Sequence, residues 1–192
     1  MTKVVFCIPG NNFSGRFLEC WTNLVKYLPT IDVEWSLVRK YHPIVYRVRA
    51  KCAELALQQD YDYMMWIDSD VIFTPQQFER LLKIDEDIIS GLYLTYKNSS
   101  LYDLSTKYAC VDLNGNEMDR FQTGSGLTEV KANGMGFMLV KNGVFESIQN
   151  PFDPIGAHGE DIAFQLKAKD NGYKSLVDSS IVVGHEKTFV MR

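Results

Sequence analysis

The chain has 192 residues, 46% hydrophobic and 23% charged, with a formal net charge of −4. That length accommodates one domain with a sizeable core, and the acidic balance excludes a general nucleic-acid backbone binder while leaving a local basic patch open. No apolar stretch approaches a membrane span, the leading MTKVVFCIPGNN is too short in apolar residues for a signal peptide, and Cys7, Cys20, Cys52 and Cys110 form no CxxC; the expectation is a cytoplasmic protein without a transmembrane anchor, its cysteines reduced.

In chain order, residues 3–8 (KVVFCI) read as a buried strand broken by PGNN, and residues 14–27 as a helix with Phe17, Leu18, Trp21, Leu24 and Val25 at helical spacing. A second strand is predicted over 33–38 (VEWSLV). Helical periodicity then joins Ile44, Val45, Val48, Cys52, Leu55 and Ala56 into one stripe, and Pro43 suits the helix start. DYMMWI is a third strand. A helix over 74–83 follows, capped by Thr74 with Pro75 in its first turn, and DIISGLYL is a fourth strand. Strands alternating with helices imply an α/β fold with a mostly parallel central sheet.

The second half is less regular. Residues 98–131 hold short strand-like pieces and the turn DLNGN, and ANGMGFMLV (132–140) is a glycine turn entering an apolar strand. NGVFESI is predicted as a short helix. GAHGEDIAFQLKAKDNG is a loop running into a helix that stops near Gly172, and KSLVDSSIVVGHEK gives two short strands ending at His185.

Chemistry concentrates at DYMMWIDSDVIF. Ligands of an α/β sheet bind beyond the carboxyl ends of its strands, and Asp68 and Asp70 follow an apolar strand. Residues two apart in extended backbone face the same side, so both carboxylates can meet one ligand. Two bare anions this close repel, and a divalent cation removes that cost. The plain alternative is a short acidic turn. Glu160 and Asp161 open a helix, where acids also serve the helix dipole. His185 ends a strand, as a structural residue or a ligand. Gly134 and Gly136 permit close backbone approach or a bulge, and do not form a dinucleotide fingerprint.

Taken in order, WIDSD, NGMGF, GED and VVGHEK behind the FCIPG strand resemble GT-A-fold glycosyltransferases, particularly small family-two-like members, across nearly the whole chain. Where that family often carries Arg-Asn on the helix before the DxD strand, this chain has Arg49 followed by Ala50. The resemblance implies a GT-A-like, Rossmann-like single domain over 1–192, its nucleotide-binding half at 1–97 and its acceptor half at 98–192. It implies Asp70 and His185 as ligands of Mn²⁺ (or Mg²⁺), with Asp68 touching the metal or the nucleotide ribose and Ser69 between them in the donor site. Pro9, Gly10 and Asn11 would hold the nucleobase and Arg49, at the border of its helix's apolar stripe, the base or phosphate; Arg47, further from that stripe, reads as solvated. Gly134, Met135 and Gly136 would line donor sugar and acceptor, Glu160 would hold sugar hydroxyls, and Asp161 would be the general base of an inverting transfer; if Asp161 only binds, a retaining outcome stays open.

The reaction so implied moves a sugar from a nucleoside-diphosphate sugar to the hydroxyl of a glycan or other acceptor. Tyr96, Tyr102, Tyr108 and Phe121 are candidates for an acceptor rim. The short chain suggests a compact soluble transferase of bacterial or viral type, with no room for a separate acceptor domain or anchor; its oligomeric state is not legible. Three other readings are open. A haloacid-dehalogenase-like phosphotransferase would place its DxD after the first strand and continue it as DxDGT, unlike DSDVIF. A nucleotidyltransferase would carry a Gly-rich, Arg-Lys-bearing loop in place of PGNNFSGR. A non-catalytic sugar-nucleotide or carbohydrate-binding module would share the binding residues without needing Asp161.

Overall fold

The computed structural model describes residues 1–95, 107–119 and 126–187. Its first half runs β1 (Thr2–Pro9), α1 (Gly15–Tyr27), β2 (Val33–Lys40), α2 (Val45–Ala56), β3 (Tyr63–Ile67), β4 (Val71–Ile72), α3 (Pro75–Ile84) and β5 (Ile88–Leu92). Its second half runs β6 (Lys107–Val111), β7 (Glu117–Asp119), β8 (Leu127–Val130), β9 (Ala132–Asn133), β10 (Phe137–Lys141), α4 (Glu160–Asp170), β11 (Ser175–Val182) and β12 (Gly184–His185).

The central sheet has the order β2-β1-β3-β10-β5-β11-β8. β1, β2, β3, β5 and β11 run one way, and β10 and β8 the other. Both faces are covered, which is why β1 and β3 read as unbroken apolar runs and not as alternations. Val4, Phe6, Met65 and Ile67 pack beneath α1 and α3, whereas Val5, Cys7, Met64 and Trp66 pack beneath α2 and α4. On the second face Phe145 stacks on Phe164 with ring centroids 4.7 Å apart. Burying each such ring stabilises by roughly 1.5–3 kcal/mol.

Two small sheets sit at the carboxyl edge of the large one. β12 pairs antiparallel with β4, setting His185 opposite Val71, and β6 pairs with β7 and β9. The helix over 75–84 starts as expected: Thr74 accepts from the Gln77 N–H, Gln77 answers on the Thr74 N–H, and Pro75 sits in the first turn.

Several local expectations change. β10 lies antiparallel between β3 and β5, an order that periodicity does not encode. The stretch 132–140 is, as expected, a glycine turn entering an apolar strand, β10, with the short β9 added before the turn. The stretch NGVFESI makes only a 3-10 turn, Phe145–Ser147. α2 begins at Val45 with Ile44 as its cap, one step beyond Pro43. Ile44, Val45 and Leu18 stand 40%, 49% and 61% exposed, outside the core that their spacing suggested. All four cysteines are free, Cys7, Cys52 and Cys110 of them buried. Among the described residues no helix is long and apolar enough to cross a membrane.

Candidate functional site

The alternation along β3 decides where its terminal acid points. Ile67 faces α1 and α3, so Asp68 turns with Trp66 toward α2 and α4. There Arg49 of α2 is buried. Its Nη2 donates to Asp68 Oδ1 at 2.8 Å and Oδ2 at 3.1 Å, and its Nε donates to Glu160 Oε1 at 3.1 Å. The guanidinium lies 5.8 Å from the Trp66 ring centroid. Burial works against its charge, but Asp68 and Glu160 outweigh it and hold the proton more firmly than usual. Arg49 Nη1 is buried with no hydrogen-bond partner among the described residues. Arg47 is exposed, as its place on the helix suggested.

Asp70 belongs to a second group. The β4–β12 pairing brings His185 Nε2 to 3.3 Å from Asp70 Oδ2, and Lys187 Nζ lies 2.7 Å from the same oxygen. Burial alone would raise the Asp70 carboxyl; the hydrogen bonds from His185 and Lys187 reverse this and bring it down to about 2. His185 Nδ1 is 3.0 Å from the Leu94 carbonyl oxygen. A carbonyl only accepts, so Nδ1 carries a proton and the ring is held with Nε2 directed at Asp70.

Imidazole nitrogen plus carboxylate oxygen, with the far ring nitrogen fixed by a carbonyl, is a donor set that fits Mn²⁺ or Mg²⁺. Asp68 does not join this pair, because Arg49 holds both of its oxygens. Among the described residues no group of three or more His, Cys, Asp or Glu side chains is gathered for a metal.

Both groups open on a cleft of about 500 Å³. Pro9, Gly10 and Asn11 line it from the loop after β1, facing Arg49, Asp68, Ser69 and Asp70. Gly10 has φ +140°, and a Cβ there would come within 2.7 Å of Ser69 Oγ, so only glycine fits this crossing. The loop between β2 and α2 adds Tyr41, His42 and Pro43, with Val45 behind them. These wall residues were missed in sequence because Val45 read as core; Lys187 had a signal, two residues beyond His185 in extended chain.

The glycine turn supports the site from below. Gly134 lies over the buried Tyr93, whose Oη would be 2.0 Å from any Cβ, and the Gly136 N–H donates to that oxygen at 3.3 Å. The Gly136 carbonyl accepts from the Asp68 N–H at 3.0 Å. Met135 is fully buried in the core, packed with the face beneath α2 and α4. Asn133 ties the turn to α4: its N–H donates to Gln165 Oε1 at 2.9 Å, and Gln165 Nε2 donates to the Asp161 carbonyl at 3.0 Å. No sequence signal links positions so far apart.

Asp161 sits in the first turn of α4, where Oδ1 accepts from the Ile162 N–H at 2.8 Å. Burial raises its carboxyl above the ordinary range, with Glu160 and Asp68 adding to the effect. Tyr108 is buried in a small cluster with Leu92 and Val177, and so is no rim residue. Tyr96, Tyr102 and Phe121 lie outside the described residues.

No family model and no curated protein matches the chain. Solved structures do. A197 from STIV superposes with a TM-score of 0.64 at 22% identity, covering 97% of this chain and 87% of that one. GalNAc-T7, solved with UDP, GalNAc and Mn²⁺, superposes with a TM-score of 0.63 at 12% identity, covering 98% of this chain. The match takes in only 44% of the GalNAc-T7 chain. The fold is GT-A-like, that of glycosyltransferases.

Proposed function

We propose that this protein is a metal-dependent glycosyltransferase that moves a sugar from a nucleoside-diphosphate donor to an acceptor hydroxyl with inversion. The observation that carries the reading is the Asp70–His185 pair, Nε2 facing the carboxylate at 3.3 Å while the Leu94 carbonyl holds Nδ1, beside the cleft that Asp70 lines. The ion bound to GalNAc-T7 beside UDP and GalNAc is consistent with it.

In this reading Asp70 and His185 hold Mn²⁺ or Mg²⁺, with Asp68 joining only if Arg49 releases an oxygen. The bound ion would supply positive charge at the departing diphosphate. The nucleoside lies along Pro9, Gly10 and Asn11 with Tyr41 and His42 in the same cleft wall, and Arg49, which lines the cleft, meets a donor oxygen. Lys187, now on Asp70, turns to the phosphates. Asp161 takes the acceptor proton as that oxygen attacks the anomeric carbon; the bond to the diphosphate breaks, and its electron pair leaves with the phosphate oxygen. Burial suits Asp161 to this step, since a raised carboxyl is a stronger base. Glu160, held by Arg49, fixes the helix start that carries it.

The test is thermal stabilisation and calorimetry with nucleoside diphosphates, with and without Mn²⁺. Nucleotide and metal should bind interdependently, and Asp70→Ala and His185→Ala should each weaken that binding while the fold survives. Tight nucleotide binding unaffected by chelator, or by both substitutions, overturns the metal assignment.

A further inference from the structure

We propose that the free edge of β2 is a self-association surface, pairing antiparallel with β2 of a second copy of this chain about a two-fold axis at Leu37. Among the described residues β2 ends the central sheet, with only β1 beside it. The Gly10 N–H donates to the Lys40 carbonyl and the Thr2 N–H to the Asp32 carbonyl. Even-numbered residues therefore spend their backbone groups on β1, while Trp35, Leu37 and Arg39 present theirs outward. Such an edge is normally blunted by charge or by a bulge. Here charges stand at Glu34, Arg39 and Lys40, and between them Trp35 is 36% exposed and Leu37 44% exposed.

Centring the axis on Leu37 sets Leu37 against its own copy, Trp35 against Arg39, Ser36 against Val38, and Glu34 against Lys40. This register is self-complementary in three independent ways. The odd residues, whose N–H and C=O groups point outward, fall opposite one another as antiparallel hydrogen bonding requires. Each Glu34 carboxylate faces a Lys40 ammonium. Each Arg39, which already lies 5.7 Å from the Phe13 ring centroid, comes beside an indole, a partner that attracts guanidinium.

The axis stands normal to the sheet, so α1 of both copies stays on one face. Leu18, 61% exposed on α1, then borders the seam, beside an apolar groove formed with Phe13, Trp21 and Leu37. Trp35 lies on that same face, edge-on to Trp21 at 5.5 Å between centroids. The occupant this edge fits is a second copy, because an unrelated strand would have no reason to match the order Glu, Trp, Leu, Arg, Lys in reverse.

The experiment is light scattering coupled to size exclusion, and sedimentation equilibrium, on the full chain. Wild type should run as a dimer at micromolar to sub-millimolar protein. Glu34→Lys or Lys40→Glu alone sets like charges across both ends of the ladder and should weaken the dimer by roughly tenfold or more. The double variant Glu34→Lys/Lys40→Glu restores opposite charges and should return to near wild-type association. Leu37→Pro removes an outward donor without touching the β1 ladder and should give a monomer with an unchanged circular dichroism spectrum. A wild-type monomer throughout that range overturns the proposal. So does a dimer that neither single charge variant weakens, or a double variant no stronger than the singles.

Discussion

Around Arg49 the cation is the buried partner, 4% exposed, while Asp68 is 29% exposed toward the cleft. Around Arg80 the order inverts: the arginine is 55% exposed and Asp178 is 1% exposed. Asp178 is also fully answered, its Oδ1 accepting from the Ser180 N–H at 2.9 Å and hydroxyl at 2.6 Å, its Oδ2 from Arg80. Arg49 serves two acids on different elements and still has a buried Nη1 without a partner among the described residues. An unmet buried donor costs about 1–3 kcal/mol. The Asp178 pair is thus closed and structural. The Arg49 pair is open: Asp68 stays part-exposed, and both residues line the cleft where the proposed donor binds.

The largest effect should come from Asp161, carried beside Glu160 on the open side. Asp161→Asn should keep nucleotide and metal affinity but lower transfer by about 10²–10⁴-fold, measured as steady-state transfer beside a binding assay. Near-normal transfer would remove the base assignment. Equal loss of binding and transfer would make Asp161 a structural acid.

Arg49→Ala leaves Asp68 and Glu160 without their buried counter-charge. It should cost about 3 kcal/mol in urea unfolding and weaken nucleotide binding as well. A loss no greater than that of Arg80→Ala would erase the contrast between the two pairs.

Asp178→Asn should cost about 2 kcal/mol at neutral pH and leave nucleotide affinity unchanged. Burial alone would raise the Asp178 carboxyl, but Arg80 and Ser180 carry it below the ordinary range. Its stabilisation is therefore present above the unfolded aspartate range and is lost as pH falls through the lower, folded value. Unfolding measured across that acid window should show a slope in wild type that is shallower in Asp178→Asn.

The smallest effect belongs to Arg80→Ala, about 1 kcal/mol or less, because solvent already screens most of that side chain and Ser180 still satisfies Oδ1. Nucleotide binding should not change.

The sequence by itself determined the strand–helix alternation, the acids beyond a buried strand, the glycine turn and the histidine at the last strand's end. Each is local: an apolar run, a cap such as Thr74 with Gln77, or a spacing of two. Tertiary structure alone decided what these groups meet. Asp68 and Asp70 are equivalent in the string DSD, yet pleating sends Asp68 beneath α2 to Arg49, while the β4–β12 pairing delivers His185 to Asp70. Ile44, Val45 and Leu18 carry the same apolar periodicity as buried neighbours, and only the packing leaves them outside it. The reversal of β10 and the Asn133–Gln165 tie join residues remote in sequence. Periodicity states which face of an element is apolar; which partner that face or a terminal acid finds depends on the arrangement of the whole sheet.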